Sequence, residues 1–264
     1  MDSFRYCGKN LVQAKDFSIT IYQVESIDQL ETMDLPKERR KNPQSLLDAM
    51  EISELRSANG ALGWVARQSR PDVAFHTSKI AQGMGMPKVK DILLYNKAVH
   101  MLKESRDHKL VFAAGVNYAD AELVAFCDAA FANIDDHKLG DDVRSQCGVH
   151  VVLASPGIAD GPVVCHTLLW ESSSAKRVVR STLAAEAYAA SEAAEALAWL
   201  RALYQELDAR HFETKDGARP THLMTDAREA LSTPWPPTWA ARATADSASC
   251  SPRCASPPMK SRSA

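Results

Sequence analysis

From residue 109 onward the sequence spells four short apolar runs, KLVFA, ELVAFC, CGVHVVLA and GPVVCHTLLW. A helical stretch from about Thr182 to Ala209 and a last short run, THLMT, follow. Runs of this length, bounded by polar or Gly/Pro stretches, read as strands. Strands combined with one long helix define a mixed α/β layer domain. The second run leads directly into Asp128, within LVAFCDAAFA. A run this apolar is consistent with a strand buried on both faces, where an unpartnered carboxylate is costly.

Two further acids raise the same question. Steps of three and four along the helix give Leu183, Glu186, Ala190, Ala193, Leu197, Leu200, Tyr204 and Leu207. This is the stripe that packs on the sheet, and Glu186 is its one charged member. Glu192, Glu195 and Glu206 fall off the stripe and need only solvent. Asp226 ends THLMT and precedes AREAL, where aspartate also suits a helix N-cap. Three converging carboxylates repel and raise one another's pKa values unless a cation lies between them. Magnesium prefers such oxygen ligands, and two ions about 3.5–4 Å apart form the clamp of many nucleases.

The preceding sequence is organised differently. FSITIYQVESIDQL (17–30) begins with period-two alternation and turns helical, and PKERRKNP (36–43) reads as a charged loop. From Glu54 the pattern is helical, with Leu55, Ala58, Leu62 and Val65 on one face. Pro71 breaks it and suits the first turn of another helix. A third helix, from about Lys88 to Ser105, presents Ile92, Tyr95, Val99 and Leu102. His76 and His100 lie in these helical patterns as packing or surface residues.

Composition excludes several classes. With 45% hydrophobic and 24% charged residues the chain is globular, and a net charge of −2 gives no global sign of a nucleic-acid binder. No apolar run is long enough to span a membrane, and MDSFRYCGKN lacks a secretory h-region. Six cysteines without framework spacing suggest a reduced, intracellular protein, cytoplasmic or nuclear. Beyond Leu231 the segment STPWPPTWAARATADSASCSPRCASPPMKSRSA has no helical or strand period.

Six segments then fall in a familiar order: GALGWVARQSRPDVAF (60–75), FCDAAFAN (126–133), LLWESSSAKR (168–177), STLAAE (181–186), AWLRALYQEL (198–207) and MTDAREAL (224–231). Together they resemble the ribonuclease H domain of a copia-type LTR retrotransposon polyprotein. FRYCGKNLVQAKDFSITIYQ resembles the last strands of its reverse transcriptase, without the polymerase's metal-binding motif. The resemblance implies a C-terminal remnant of reverse transcriptase (1–50), a helical connection segment (51–108), a ribonuclease H-like domain (109–231) and an irregular tail (232–264). It implies a mixed five-stranded sheet flanked by helices, magnesium (or manganese) as cofactor, and hydrolysis of the RNA strand of RNA–DNA hybrids. The hybrid and the parent polyprotein's reverse transcriptase domain are the implied partners.

Carried over by position, Asp128, Glu186 and Asp226 are the catalytic and metal-binding acids. Lys176, Arg177 and Arg180 precede the catalytic helix and are candidates for phosphate contacts, assisted by the helix N-terminus. Ser172 and Ser174 are candidates for hydrogen bonds to the nucleic-acid backbone or 2′-hydroxyls, while Trp170 is expected to pack at the strand end. The sequence departs from the family at Ala130, where a second aspartate is usual, and at Ala187. The family's fourth acid lies after residue 231, where nothing matches it. The alternative reading is therefore a catalytically inactive transposon remnant that at most binds nucleic acid. The composition of residues 232–264 is that of GC-rich coding sequence read out of frame, so sequencing the transcript near codon 232 should reveal a shifted frame or mis-called exon. An intact frame refutes this expectation.

Overall fold

The computed structural model describes residues 2–131, 144–211 and 221–227. It is a mixed α/β protein with two sheets and two main cores. Strands β1 (Asp2–Tyr6), β2 (Lys9–Gln13) and β3 (Ile19–Tyr22) form an antiparallel meander. The β1–β2 turn places Cys7 and Gly8 at positive φ. Helices α1 (Val24–Asp28) and α2 (Lys37–Arg40) follow, the latter inside the charged segment expected to be loop.

Helix α3 (Ala49–Gln68) starts where Asp48 accepts the Met50 and Glu51 N–H groups while Glu51 accepts the Asp48 N–H. This reciprocal cap satisfies donors that the first helical turn leaves unpaired. Pro71–Val73 form a 3-10 turn into α4 (Ala74–Gly83), and α5 (Val89–Glu104) completes the group. Leu55, Leu62, Val65, Ile92, Tyr95, Val99 and Leu102 are all buried in one core, as their spacing predicts. His76 is buried and His100 exposed.

Arg70 ties this group together. Its guanidinium is 2% exposed; Nε and Nη2 donate to the Asp72 carboxylate at 2.9 and 2.6 Å. Nη1 donates to the Ser105 carbonyl at 2.9 Å, and Nη2 also reaches Ser105 Oγ. Ser105 ends α5, so one side chain joins the break after α3 to the end of α5.

The KLVFA run forms β4 (Leu110–Phe112), but it pairs with β3 through Ile19↔Phe112 and Ile21↔Leu110. The expected five-stranded sheet is therefore four-stranded among the described residues. It comprises β5 (Glu122–Ala130), β6 (Gln146–Ala154), β7 (Cys165–Ser174) and β8 (Thr221–Met224), in the order β7-β6-β5-β8. Both edges of β5 are occupied, by β6 antiparallel and β8 parallel. β4 instead extends the edge of β3, with Phe112 stacked edge-on to His166 of β7 at 5.4 Å.

Helix α6 (Thr182–His211) covers one face of this sheet. Ser181 opens it, its hydroxyl accepting the Ala184 N–H. The buried stripe is Ala185, Ala189, Ala190, Ala193, Leu197 and Leu200, facing Leu123, Ala125, Cys127 and Ala129. Leu183 and Leu207, expected on this stripe, are 41% and 46% exposed at its two ends. No described helix is long and apolar enough to cross a membrane.

Replacing Arg70 with leucine removes charge-assisted hydrogen bonds as well as the packing of its stem. Urea denaturation should show a loss of about 2–3 kcal/mol. A change below about 0.5 kcal/mol would mean the contact is only local surface.

Candidate metal centre

The parallel register of β5 and β8 brings two of the acids together. Leu123 pairs with Thr221 and Phe126 with Met224. Asp226 lies two residues past Met224, at the same end of the sheet as Asp128, two residues past Phe126. Alternation puts Leu123, Ala125, Cys127 and Ala129 under α6, whereas Val124 and Phe126 belong to a small cluster on the other face. Asp128 shares that second face and is exposed, as is Asp226.

The third acid reaches the same point from α6. Glu186 is 7% exposed, one turn inside the helix. Ligand oxygens of Asp128, Glu186 and Asp226 all lie within 4.8 Å of one another. Glu186 accepts a hydrogen bond from the Ala129 backbone N–H, which lowers its pKa. Burial and the Asp128 charge, with a smaller contribution from Asp226, outweigh that and raise it above the ordinary carboxylate value. Its Oε2 atom is buried with no hydrogen-bond partner. An anionic oxygen in that position calls for a cation or a proton.

The sequence expectation is thus met in position and altered in burial. Asp128 was expected to be the buried charge; it is solvated, because the strand's second face is open at its C-terminal end. The desolvation falls on Glu186 instead. Nearby sulfur does not compete as ligand. Burial first, then the charges of Glu186, Asp128 and Asp226, push the Cys127 thiol up to about 12. Burial and surrounding carboxylates push Cys147 up to about 11. Both thiols stay protonated at neutral pH, which leaves an all-oxygen donor set suited to a hard cation.

The candidate contact residues are placed as follows. Lys176, Arg177 and Arg180 are exposed in the turn between β7 and α6. Lys176 lies 4.0 Å from Glu192, and its backbone N–H donates to the Tyr188 hydroxyl at 3.4 Å. Ser174 pairs with Gln146, and Ser172 with Gly148. Ser172 Oγ accepts from Gln146 Nε2 at 2.8 Å. Trp170 packs as expected, and its indole N–H donates to the Ala66 carbonyl of α3 at 2.8 Å. The polar group around Gln146 and the Trp170–Ala66 bond carry no signal in the sequence, since both are made between segments far apart in the chain.

No protein-family model, curated protein or solved structure matches this chain. The site therefore rests on its own geometry: three acids, from two adjacent strand ends and the helix laid across them, that can hold a metal ion.

A raised carboxyl pKa has a definite consequence for stability. Protonated Glu186 costs nothing below the unfolded carboxyl value of about 4.3; stability is lost as pH rises from there through the higher folded value. Glu186→Gln should therefore raise the apo protein's Tm by a few degrees at pH 7 and leave it unchanged near pH 4. Magnesium should raise the Tm of the unsubstituted chain at pH 7 and have less effect on the variant. A Tm indifferent to both magnesium and the substitution would contradict a charged, coupled cluster.

Proposed function

We propose that residues 109–231 form a magnesium-dependent ribonuclease H-type module, of the kind encoded by copia-type retrotransposons, that hydrolyses the RNA strand of RNA–DNA hybrids. The observation that carries this reading is the meeting of Asp128, Glu186 and Asp226, with an unpartnered buried oxygen on Glu186. Those are the acids that the order of sequence motifs singles out. The sheet order, with β8 parallel to β5 beyond an antiparallel three-strand meander, supports a ribonuclease H-like fold.

The donor set suits magnesium, with manganese as a substitute, because all three groups are hard carboxylate oxygens. Metal ions at such a site supply a water of lowered pKa and neutralise charge on the leaving oxygen. The residues contribute position. Asp128 and Asp226, both exposed, would hold the ions on the side open to a phosphodiester from solvent. Glu186, held by the Ala129 N–H, would offer its unpartnered oxygen to a metal ion between the three acids. The water oxygen bonds to phosphorus and gives up a proton as the bond to the 3′-oxygen breaks and that oxygen takes up a proton, leaving a 3′-hydroxyl and a 5′-phosphate.

Lys176, Arg177 and Arg180, in the turn that enters α6, supply positive charge for the hybrid's backbone. The module acts inside the cell, in cytoplasm or nucleus, alongside the reverse transcriptase domain of its parent polyprotein. Polymerase activity is not part of this reading. Among the described residues, the free cysteines Cys7, Cys127 and Cys147 agree with a reducing compartment.

Incubation with a labelled RNA–DNA hybrid and magnesium should give RNA fragments ending in 3′-hydroxyls. Asp128→Asn should lower the rate at least about 100-fold, the scale of an electrostatic or metal-ligand loss. Binding without cleavage by the unsubstituted chain would instead favour a remnant that has lost its chemistry.

A further inference from the structure

The face of the β7-β6-β5-β8 sheet away from α6 carries a second polar group beside the carboxylates. Residues paired directly across strands share a face, and the register Ser172↔Gly148↔Asp128 sets Ser172 on the row of Asp128. Two strand spacings separate them, about 10 Å. Between them Gly148 contributes no side chain; a Cβ there would meet only the Asp128 carbonyl oxygen, at 3.9 Å. The row is therefore a shallow floor of backbone, with acids at one end and Ser172 at the other.

Helix α4 closes the Ser172 end. The Gln146 side chain, 6% exposed, is fully engaged there. Its Oε1 accepts from Gln82 Nε2 at 2.7 Å, and its Nε2 donates to Ser172 Oγ at 2.8 Å and Ser78 Oγ at 3.2 Å. Gln82 Nε2 also donates to Ser78 Oγ at 3.1 Å. A hydroxyl has two acceptor lone pairs and one hydrogen. Both lone pairs of Ser78 are taken by amide N–H groups, and one of Ser172. What each hydroxyl has left is its hydrogen, and neither donates to an acceptor among the described residues. Both serines are half-buried at the edge of the floor.

Two oriented donors call for a ligand that accepts. Resting on the ribonuclease reading of the acidic cluster, we propose that Ser78 and Ser172 hold a non-bridging phosphodiester oxygen of the nucleic-acid strand that runs across Gly148 to the acids. Gln146 is the positioning residue, since it fixes both hydroxyls at once. Backbone phosphates are where most protein–nucleic acid hydrogen bonds go, and hydroxyl side chains are common donors to them. Neutral donors also suit this distance from three carboxylates, which would draw a lysine into ion pairs. The connection helix thereby becomes one wall of the substrate groove.

The test is equilibrium binding of a short labelled RNA–DNA hybrid by the full chain, in magnesium, on an Asp128→Asn background that stops cleavage. Replacing both serines with alanine should weaken binding about a hundredfold, the scale of two hydrogen bonds to a charged acceptor. It should leave the salt dependence unchanged, because no cation is removed. Replacing both with threonine should restore affinity to within about twofold. Gln146→Leu should weaken binding although it touches no ligand, and melting curves will show which variants remain folded. Unchanged affinity in the folded double-alanine variant overturns the phosphate site. Hybrid cleavage by the unsubstituted chain is scored separately. Cleavage with serine-insensitive binding keeps the nuclease reading and removes this one, and serine-dependent binding without cleavage does the reverse. A parent chain that binds no hybrid overturns both.

Discussion

The parallel pairing of β5 with β8 is the constraint on which the acidic centre depends. Parallel neighbours cannot be joined by a tight turn and need a long crossover. Here the chain makes a three-strand antiparallel meander and then α6 before β8 returns to the vacant edge of β5. That pairing brings the end of β8, with Asp226 just past it, to the end of β5 that carries Asp128. The same crossover helix must lie against β5, and its alanines at 185, 189, 190 and 193 let it approach closely. Glu186 therefore arrives where the two strand ends already point.

The cluster is tolerable without a counter-ion because its burial is uneven. Two of its three carboxylates face solvent, where their mutual repulsion is weakened by water. Only Glu186 is buried, and a backbone N–H partly compensates it. Three fully buried acids would have forced proton uptake or unfolding. The division also separates roles: open acids are accessible to ligand, whereas the buried one is held still by the helix.

Much of this was legible in the sequence. The strands from ELVAFC onward, the extent of α6 and the faces of α3 and α5 follow from apolar spacing, because each element buries a continuous stripe. Glu186 was conspicuous for interrupting such a stripe, and Asp128 and Asp226 for ending apolar strands. What periodicity cannot convey is partner choice. KLVFA reads as a strand in any sheet, and nothing in its own residues says that it pairs with β3. Nor does an apolar run reveal where one sheet face stops being covered, which is why Asp128 was expected to be buried. Arg70 and Gln146 were silent because their partners lie 35 and 64 residues away in sequence. The fourth acid of the resembling family, and the anomalous tail, fall outside the described residues.

Helices α3, α4 and α5 have a core of their own, and directional bonds tie them to the second sheet. Trp170 donates its indole N–H to the Ala66 carbonyl of α3, and Gln146 joins Ser78 and Gln82 of α4 to Ser172 of β7. Hydrophobic contact is non-directional and would let the helices settle at several offsets on the sheet. Hydrogen bonds from a tryptophan and a buried glutamine permit far fewer, because each misalignment leaves a desolvated polar atom unpaired. Gln146 sits directly across from Ala130 at the end of the strand that carries Asp128. The bonds that dock α4 therefore lie within two residues of the acidic row, so the geometry of the groove and the placement of the helices are set by the same few atoms.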